Sequence, residues 1–234
     1  MKRVSIEARL ASLATEYGLP DGAVPRLERL LDALAAEPDP HTTISEPTAA
    51  VDQHVADSLS ALRLDPVRNA EKLVDIGSGA GFPGLPLAIA LPHAHVELVE
   101  AAKRKCSVIE RLAEAAGAAN ARALPLRAEE LDAREAYDVA TARAVAPLPV
   151  LVEYAAPLLN QSGHFVAWKG ARNPAEEAAG VRAAKIVGLR PIEVRSVVPF
   201  PGARDLNLHL YLKDRETPSR FPRRPGVAAK RPLA

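Results

Sequence analysis

A glycine-rich loop between an apolar run and a helix-like run constrains the fold of this chain most strongly. The segment 75–81, Asp-Ile-Gly-Ser-Gly-Ala-Gly, follows Leu73 and Val74 and precedes an apolar stretch from Leu85 to Leu91. In such a strand–loop–helix unit, backbone N–H groups face a nucleotide-like ligand, and the glycines let that ligand lie against bare backbone. The segment therefore predicts an α/β fold that holds a cofactor at this loop.

The spacing of the glycines indicates which cofactor is bound. A dinucleotide fingerprint, Gly-x-Gly-x-x-Gly, would place its third glycine at position 82, which is Phe82 in this chain. After Gly77 and Gly79, the third glycine comes one residue earlier, at Gly81. This pattern favours S-adenosylmethionine (SAM) over a nicotinamide dinucleotide, although glycine loops also serve purely as tight turns.

Composition limits the classes of protein to which the chain can belong. The net charge is only +1, so RNA binding would need local basic patches, and 4% aromatic residues argue against a base-stacking platform. The single cysteine, Cys106, cannot form an internal disulfide. The most apolar stretch, Phe82 to Leu91, is too short and too rich in proline to cross a membrane. We therefore expect a cytoplasmic protein without a membrane segment, and a monomer, because no exposed apolar helix face demands a partner.

Residues 1–68 are predicted to form an N-terminal helical extension. Apolar side chains recur there at helical spacing in three stretches. The third stretch also carries His54, Asp57 and Ser58 on one face, at positions i, i+3 and i+4. The apolar sets are Ile6, Leu10, Leu13 and Tyr17; Val24, Leu27, Leu31 and Leu34; and Val51, Val55, Leu59 and Leu62.

Residues 69–214 are predicted to form an α/β domain with a mostly parallel, doubly wound sheet, because strand-like runs alternate there with helix-like runs. The segment 199–205 is too short for a helical crossover, so the last two strands should form an antiparallel hairpin. By analogy, this is the seven-stranded, Rossmann-like arrangement of class I SAM-dependent methyltransferases. The predicted strands are Lys72–Ile76, His95–Val99, Ala121–Leu126, Tyr137–Ala142, His164–Trp168, Ile192–Val198 and Asn207–Lys213, and the predicted helices are Leu85–Leu91, Ala102–Ala116, Leu148–Leu159 and Ala175–Val187.

Residues 215–234 form a basic tail rich in proline and arginine. Such a segment is expected to be an extended, poorly ordered arm that contacts RNA phosphates, although a solvated tail without a role is the alternative. Deletion of the residues after Lys213 should then weaken RNA binding much more than SAM binding. The cations of the tail are Arg215, Arg220, Arg223, Arg224, Lys230 and Arg231, against the single acid Glu216.

Several polar residues follow the predicted strands, where open α/β sheets bind their ligands. Glu100 ends the second strand and is placed to accept hydrogen bonds from ribose hydroxyls, or else is a solvated acid. Ala128 and Glu129 follow the third strand, where such folds hold adenine, although a helix-start acid is an equal alternative for Glu129. Arg143 and Lys169 follow the fourth and fifth strands and are positioning candidates, with a structural ion pair as the alternative for each.

His54 and Asp57 could suggest a metal site, but no third and fourth ligand at suitable spacing accompanies them, so no metal is expected. We predict instead a hydrogen-bonded pair that shapes the cleft, which makes His54 a further positioning candidate. Cys106 has apolar neighbours and is expected to be a packed, unreactive side chain.

With these residues assembled, the chain resembles the RsmG (GidB) family of small-subunit ribosomal RNA methyltransferases. The resemblance spans nearly the whole chain, but His41-Thr42-Thr43 stands where the family usually has Asn-Leu-Thr. The matching segments are Val74-Asp-Ile-Gly-Ser-Gly-Ala-Gly-Phe-Pro-Gly-Leu-Pro86, Arg127-Ala-Glu-Glu-Leu131, Tyr137-Asp-Val-Ala-Thr-Ala-Arg-Ala-Val-Ala146, Phe165-Val-Ala-Trp-Lys-Gly170, His54-Val-Ala-Asp-Ser-Leu59 and the tail from Arg223 to Leu233.

The resemblance implies transfer of a methyl group from SAM to N7 of one guanosine in 16S ribosomal RNA, as free RNA or in a small-subunit particle. It implies that Gly77, Phe82, Ala128, Glu129 and Arg143 contact SAM, with Glu100 on the ribose by fold analogy. The predicted cofactor site also includes Gly79 and Gly81. The predicted RNA contacts are Arg143, Lys169, Arg220, Arg223, Arg224, Lys230 and Arg231.

The chemistry at N7 agrees with the residues present, because N7 has a lone pair and no proton, and attack on a sulfonium methyl requires positioning rather than a general base. No catalytic residue in the strict sense is therefore predicted. Methylation of a ribose 2′-hydroxyl remains open at this point. The more distant alternatives are a nicotinamide-dependent oxidoreductase, disfavoured by Phe82, and a non-catalytic RNA-binding module, disfavoured by Glu100 and Arg143.

Overall fold

A twisted sheet of seven strands forms the centre of the molecule, and its order is β3-β2-β1-β4-β5-β7-β6. The structure is a computed structural model that describes residues 3–234, with side chains from residue 6 onward. All neighbouring strands are parallel except β7, which runs antiparallel to both β5 and β6. The strands are β1 Lys72–Ile76, β2 His95–Val99, β3 Ala121–Leu124, β4 Tyr137–Arg143, β5 Leu159–Lys169, β6 Leu189–Val197 and β7 Leu206–Lys213.

The predicted fold class is confirmed, and in the sheet and the helices that connect its strands the differences concern the ends of elements. β5 begins at Leu159, five residues before the expected start at His164, because its first residues already pair with Tyr137 of β4. The helix before it accordingly ends at Ala155. β6 includes Pro191, which lacks a backbone N–H, and the sheet accepts this proline because β6 is an edge strand whose pairing shifts between Pro191 and Glu193.

Helices cover both faces of the sheet, and alternate strand residues point into two separate apolar cores. Leu73 packs with the N-terminal helices, whereas its neighbour Val74 packs on the opposite face with the helices Leu148–Ala155 and Pro174–Val187. None of the described helices is both long and apolar enough to cross a membrane. The helices are α1 Arg3–Tyr17, α2 Ala23–Ala36, α3 Pro47–Ala50, α4 Asp57–Leu59, α5 Asp65–Arg68, α6 Gly84–Ala90, α7 Lys103–Ala116, α8 Leu148–Ala155, α9 Pro174–Val187 and α10 Val227–Lys230.

The third helical stretch is not the uniform α-helix that its apolar spacing predicts. Between α3 and α4 the chain forms a π-helical turn, Val51–Ala56, in which the N–H of Asp57 reaches the carbonyl oxygen of Asp52 five residues earlier. A 3₁₀ turn, Ser60–Arg63, follows α4. π-turns are rare and are often found at functional sites.

The tail differs most from its prediction, because it is not an extended, poorly ordered arm. Phe221 is buried at 2% exposure in the core that α8 and α9 share, and α10 packs against α8. Proline-rich composition indicates disorder only when a segment has too little apolar surface to bury, and this tail buries Phe221 and Ala228. The division of the chain at residues 68 and 214 stays a prediction.

Candidate active site

A cleft of about 640 Å³ opens at the carboxyl ends of β1, β2 and β4. This is the edge at which open α/β sheets bind ligands. Seven of the eight predicted cofactor residues line the cleft, and Gly81 is the exception. The residues that line the cleft include Thr42, Ile44, Gln53, His54, Gly77, Gly79, Phe82, Glu100, Lys105, Ala128, Glu129, Arg143, Val145 and Tyr154.

The glycine loop needs its glycines for two different reasons. Gly77, Gly79 and Gly81 all have positive φ angles, +69°, +60° and +94°, which side-chain-bearing residues rarely adopt. A Cβ at Gly79 would meet nothing within 4 Å, so the loop offers bare backbone to the cleft there. A Cβ at Gly81 would lie 2.6 Å from Cδ1 of Leu85, so the loop packs closely on α6 at this glycine.

Asp75 fixes the loop from inside the protein. Its fully buried carboxylate accepts hydrogen bonds from the Gly84 N–H at 3.1 Å and from the Thr141 hydroxyl at 2.8 Å. Burial raises the pKa of Asp75 to about 6, although these hydrogen bonds favour the charged form. Sequence reasoning assigned no role to Asp75 or Thr141, and the only available signal was an acid within the apolar run of the first strand.

Glu100 stands beside the glycine loop at 9% exposure. One carboxylate oxygen accepts from the Gly79 N–H at 3.2 Å and the other from the Ala102 N–H at 2.9 Å. The Lys105 ammonium lies 3.9 Å away. The carboxylate is thus held at the cleft wall, next to the open backbone of Gly79, where a ligand with hydroxyl groups can hydrogen-bond to it.

The wall opposite the glycine loop is formed by the 3₁₀ turn Ala128–Glu130 and by Tyr154 of α8. One Glu129 oxygen accepts from the Gly226 N–H at 2.8 Å. Burial and the Glu129 carboxylate together raise the pKa of Tyr154 to about 12, so its phenol keeps its proton beside Glu129. Nothing in the sequence pattern pointed to Tyr154, which reaches the cleft only through the packing of α8.

Arg143 is clamped at the other end of the cleft by the π-helical turn. Its guanidinium donates to Asp57 Oδ2 at 2.8 Å, to His54 Nδ1 at 3.1 Å and to the Gln53 carbonyl oxygen at 3.1 Å. It also lies 5.9 Å from the centre of the Phe82 ring, within range of a cation–π interaction. The side chain is only 16% exposed, so its position is fixed before any ligand arrives.

His54 is held neutral in this clamp. Burial and the charge of Arg143 lower the pKa of His54 to about 4. Its Nε2 lies 3.0 Å from the Ile44 carbonyl oxygen, which requires the proton on Nε2 and leaves Nδ1 free to accept from Arg143. The ring stacks on Phe82 with the ring centres 4.4 Å apart.

Asp57 and His54 do not form the direct hydrogen bond that the sequence analysis predicted. Within the described residues, each contacts Arg143 from its own side. Burial raises the pKa of Asp57, and the adjacent Arg143 opposes that rise. Oδ1 of Asp57 is buried without a hydrogen-bond partner among the described residues, so the ionised form of Asp57 depends on Arg143.

The sequence comparisons identify relatives that cover most of the chain. A family model described as rRNA small subunit methyltransferase G (GidB) matches residues 29–201. The chain belongs to this family. The ribosomal RNA small subunit methyltransferase G of Chloroflexus aggregans is 41% identical over 236 residues, which cover 97% of this chain and 98% of the relative. Those of Rubrobacter xylanophilus and Bacillus subtilis are 43% and 36% identical and cover 80% and 82% of this chain, or 75% and 82% of the relatives.

Solved structures support the methyltransferase fold of this family member. The 16S rRNA (adenine(1408)-N(1))-methyltransferase from Catenulisporales acidiphilia matches with a TM-score of 0.52 at 16% identity, over 65% of this chain and 89% of that chain. Mitomycin 7-O-methyltransferase MmcR matches with a TM-score of 0.58 at 15% identity, over 78% of this chain and 60% of that chain. At such identities the likeness concerns the fold alone.

In this methyltransferase G family member, some predicted site residues lie outside the cleft. Lys169 makes an ion pair with Glu176 at 2.7 Å, the structural alternative considered for it above. Arg223 is paired with Glu153, whereas the other predicted RNA-binding cations of the tail, Arg220, Arg224, Lys230 and Arg231, are exposed.

Two further expectations concern cysteine and metal. Cys106 is buried, and its thiol donates to the Glu100 carbonyl oxygen at 3.2 Å. The described residues contain no cluster of His, Cys, Asp and Glu suited to a metal ion.

His41 begins the segment in which this chain differs from the family's usual Asn-Leu-Thr. Its backbone has a φ of +53°, a region in which both Asn and His are several-fold enriched.

Proposed function

We propose that this protein transfers the methyl group of SAM to N7 of a guanosine in 16S ribosomal RNA. The proposal includes a monomeric, cytoplasmic enzyme that acts on the RNA or on a small-subunit particle. Membership of the methyltransferase G family supports the reaction class and the RNA substrate. The observation that carries the choice of acceptor atom is the Arg143 clamp, in which no side chain is available as a base.

The cofactor end of the cleft fits SAM. SAM supplies an electrophilic methyl group on a sulfonium when it is bound. The bare backbone at Gly79, with open space where a Cβ would stand, accepts a ligand at close approach. Glu100 can bind ribose hydroxyls, and Ala128 with Glu129 and Tyr154 can enclose the adenine ring on the opposite wall.

The acceptor end fits a nucleophile that brings its own lone pair. His54 cannot serve as the base, because its Nδ1 already accepts from Arg143 and its pKa is lowered to about 4 by burial and that charge. One oxygen of Asp57 is bound to Arg143 and the other is buried. Guanine N7 needs neither residue, whereas a ribose 2′-hydroxyl would have to lose a proton. The arrangement therefore favours N7, with Arg143 and Phe82 positioning the reactants.

The test is nucleoside mass spectrometry of 16S ribosomal RNA from cells with and without the gene. We expect 7-methylguanosine to fall on loss of the gene and to return with the unaltered protein but not with Arg143→Ala. Undiminished 7-methylguanosine would contradict the proposal, and loss of a 2′-O-methylated nucleoside instead would favour the second candidate. Thermal melting provides a check on the cofactor, because only a ligand of the folded state raises the midpoint, and SAM rather than NADH should do so.

A further inference from the structure

We propose, on the basis of the function proposed above, that residues 217–233 form a strap that positions Glu129 and Tyr154 at the cofactor cleft. The strap would make cofactor binding depend on a segment whose sequence suggests only an RNA-binding arm. Its contacts reach the cleft wall in three steps: an anchor at Thr217 and Phe221, an ion pair at Arg223, and a hook at Gly226.

The anchor fixes the start of the strap. The buried Thr217 hydroxyl lies 3.1 Å from the Ala156 carbonyl oxygen and 2.8 Å from the Val187 carbonyl oxygen. Arg134 donates to the carbonyl oxygens of Phe221 at 2.6 Å and Thr217 at 2.9 Å. These contacts hold the backbone on both sides of the buried Phe221 ring.

The ion pair joins the strap to the helix that carries Tyr154. Arg223 donates from Nε and from a terminal nitrogen to the two oxygens of Glu153, at 2.7 and 2.5 Å. Two parallel hydrogen bonds of this kind fix the relative orientation of the two side chains. Glu153 is only 1% exposed, so water competes little for the pair. The residue after Glu153 is Tyr154, whose ring lines the cleft.

The hook reaches the cleft wall directly. Gly226 has a φ of +80° and turns the chain into α10, which directs its N–H to Glu129 at 2.8 Å. The Glu129 carboxylate also lies beside the Tyr154 phenol and helps to raise the pKa of that group. The strap therefore binds one of the two polar side chains of this wall directly and is paired with the residue that precedes the other.

The same strap carries exposed cations. Arg224, Lys230 and Arg231 lie within five residues of Gly226 in the sequence and are exposed to solvent. A phosphate contact that steadies these residues would also steady the hook on Glu129, so RNA and cofactor binding should favour each other. Such coupling is reciprocal by linkage. Loss of the strap should consequently weaken both ligands, not RNA alone.

The first test uses the unaltered full-length protein and S-adenosylhomocysteine, the product that cannot react further. Amide hydrogen exchange is followed with and without a saturating concentration of this ligand. We expect exchange of the amides of residues 221–230 to slow by about 5-fold or more, in the range of ordinary coupling between sites. Unchanged exchange there, with protection of the Gly77 loop, would overturn the strap while leaving the proposed cofactor in place. Failure to bind the ligand at all would contradict the proposed function instead.

The second test compares two neighbouring arginines by calorimetric titration with S-adenosylhomocysteine. Arg223→Gln removes the pair with Glu153, whereas Arg224→Gln changes an exposed side chain without an ion pair among the described residues. We expect Kd to rise about 10-fold for Arg223→Gln and to change less than about 2-fold for Arg224→Gln. In turnover, Arg223→Gln should raise KM for SAM with little change in kcat. Equal Kd values for the two variants would overturn the strap, and the exchange experiment decides the matter if Arg223→Gln does not fold.

Discussion

The two ends of the cleft are built in opposite ways. The glycine-loop wall of the cofactor end is one contiguous stretch, in which the backbone of Gly77 and Gly79 faces the cleft and Asp75 secures it from inside the protein, while Glu100 and Tyr154 contribute side chains to the rest of this end. The acceptor end rests on side chains that are far apart in sequence, since Arg143 of β4 is held by His54 and Asp57 some 86–89 residues away.

The difference lies in what each end can tolerate. A backbone-built end depends on φ angles and on open space, so its weak points are substitutions that add a Cβ. A side-chain-built end depends on matched charge in a poorly solvated place, so its weak points are substitutions that leave one partner alone. Four predictions, in decreasing order of effect, test this comparison.

The largest effect is expected for Arg143→Ala. The Asp57 carboxylate, at 8% exposure, would lose its only charged partner in the clamp, which costs about 3–5 kcal/mol for a buried ion pair. Urea unfolding measures this loss. The double variant Arg143→Ala/Asp57→Ala should recover part of the stability but none of the methyl transfer. An unchanged urea midpoint for Arg143→Ala would mean that the clamp does not hold this end together.

A smaller loss is expected for Gly77→Ala. The positive φ costs about 1–2 kcal/mol for a residue with a Cβ, and that Cβ would lie 2.6 Å from Cγ2 of Val145. Gly79→Ala has the same φ cost but no clash, so it should be less destabilising while filling space in the cleft. Val145→Ala should relieve Gly77→Ala and leave Gly79→Ala unaffected, as measured by thermal unfolding. Equal losses for Gly77→Ala and Gly79→Ala, or no relief of Gly77→Ala by Val145→Ala, would contradict the assigned roles of the two glycines.

The third prediction concerns pH. The pKa of His54 is about 4 in the folded protein, against 6.5 in the unfolded chain. The unfolded chain therefore binds more protons between these values, and the free energy of unfolding falls as the pH drops through this window. Between pH 7 and pH 5 the contribution of His54 falls by about 2 kcal/mol.

The comparison variant for this pH effect is His54→Gln. Asp75 acts in the opposite direction, because burial raises its pKa to about 6 and stability from this group is lost as the pH rises toward that value. Asp75 is present in both the unaltered protein and His54→Gln, so its contribution cancels when the changes in their unfolding free energies with pH are subtracted. Urea unfolding at pH 7 and pH 5 should show that the unaltered protein loses more stability on acidification. Parallel losses in both proteins would exclude a neutral, buried His54.

The smallest effect on stability is expected for Glu100→Gln, at the backbone-built end. The amide can still accept one of the two N–H groups that Glu100 now binds, so the unfolding free energy should change by less than about 1 kcal/mol. Affinity for SAM should fall about 10-fold, or about 1.4 kcal/mol, because a charged acceptor of ribose hydroxyls is lost. Glu110→Gln, on the exposed face of α7, is the matched control and should bind SAM normally.

The sequence predicted the backbone-built end better than the side-chain-built end. The mostly parallel sheet and its antiparallel hairpin follow from alternating periodicity and a short connection, and the glycine loop is a local pattern, so these features could be predicted. The link from His54 and Asp57 to Arg143 could not, because it depends on packing across the sheet edge. Tyr154 was missed for the same reason. A structural ion pair was the stated alternative for Lys169, but the sequence did not identify Glu176 as its partner. In the tail, the composition rich in proline and arginine gave no indication that Phe221 is buried in the core.

The π-helical turn at Val51–Ala56 also limits which changes in length this chain tolerates. A hydrogen bond that spans five residues holds one residue more than a regular helical turn. Deletion of a single residue there would restore a regular helix, but it would rotate the two flanking halves by about 100° relative to each other. His54 and Asp57 could then no longer face Arg143 while Ala50 of α3 stays in the core. The Gln53 side chain is exposed, and its contact with Arg143 is made by the backbone carbonyl oxygen, so a deletion in this segment should disturb the clamp more than an exchange at Gln53.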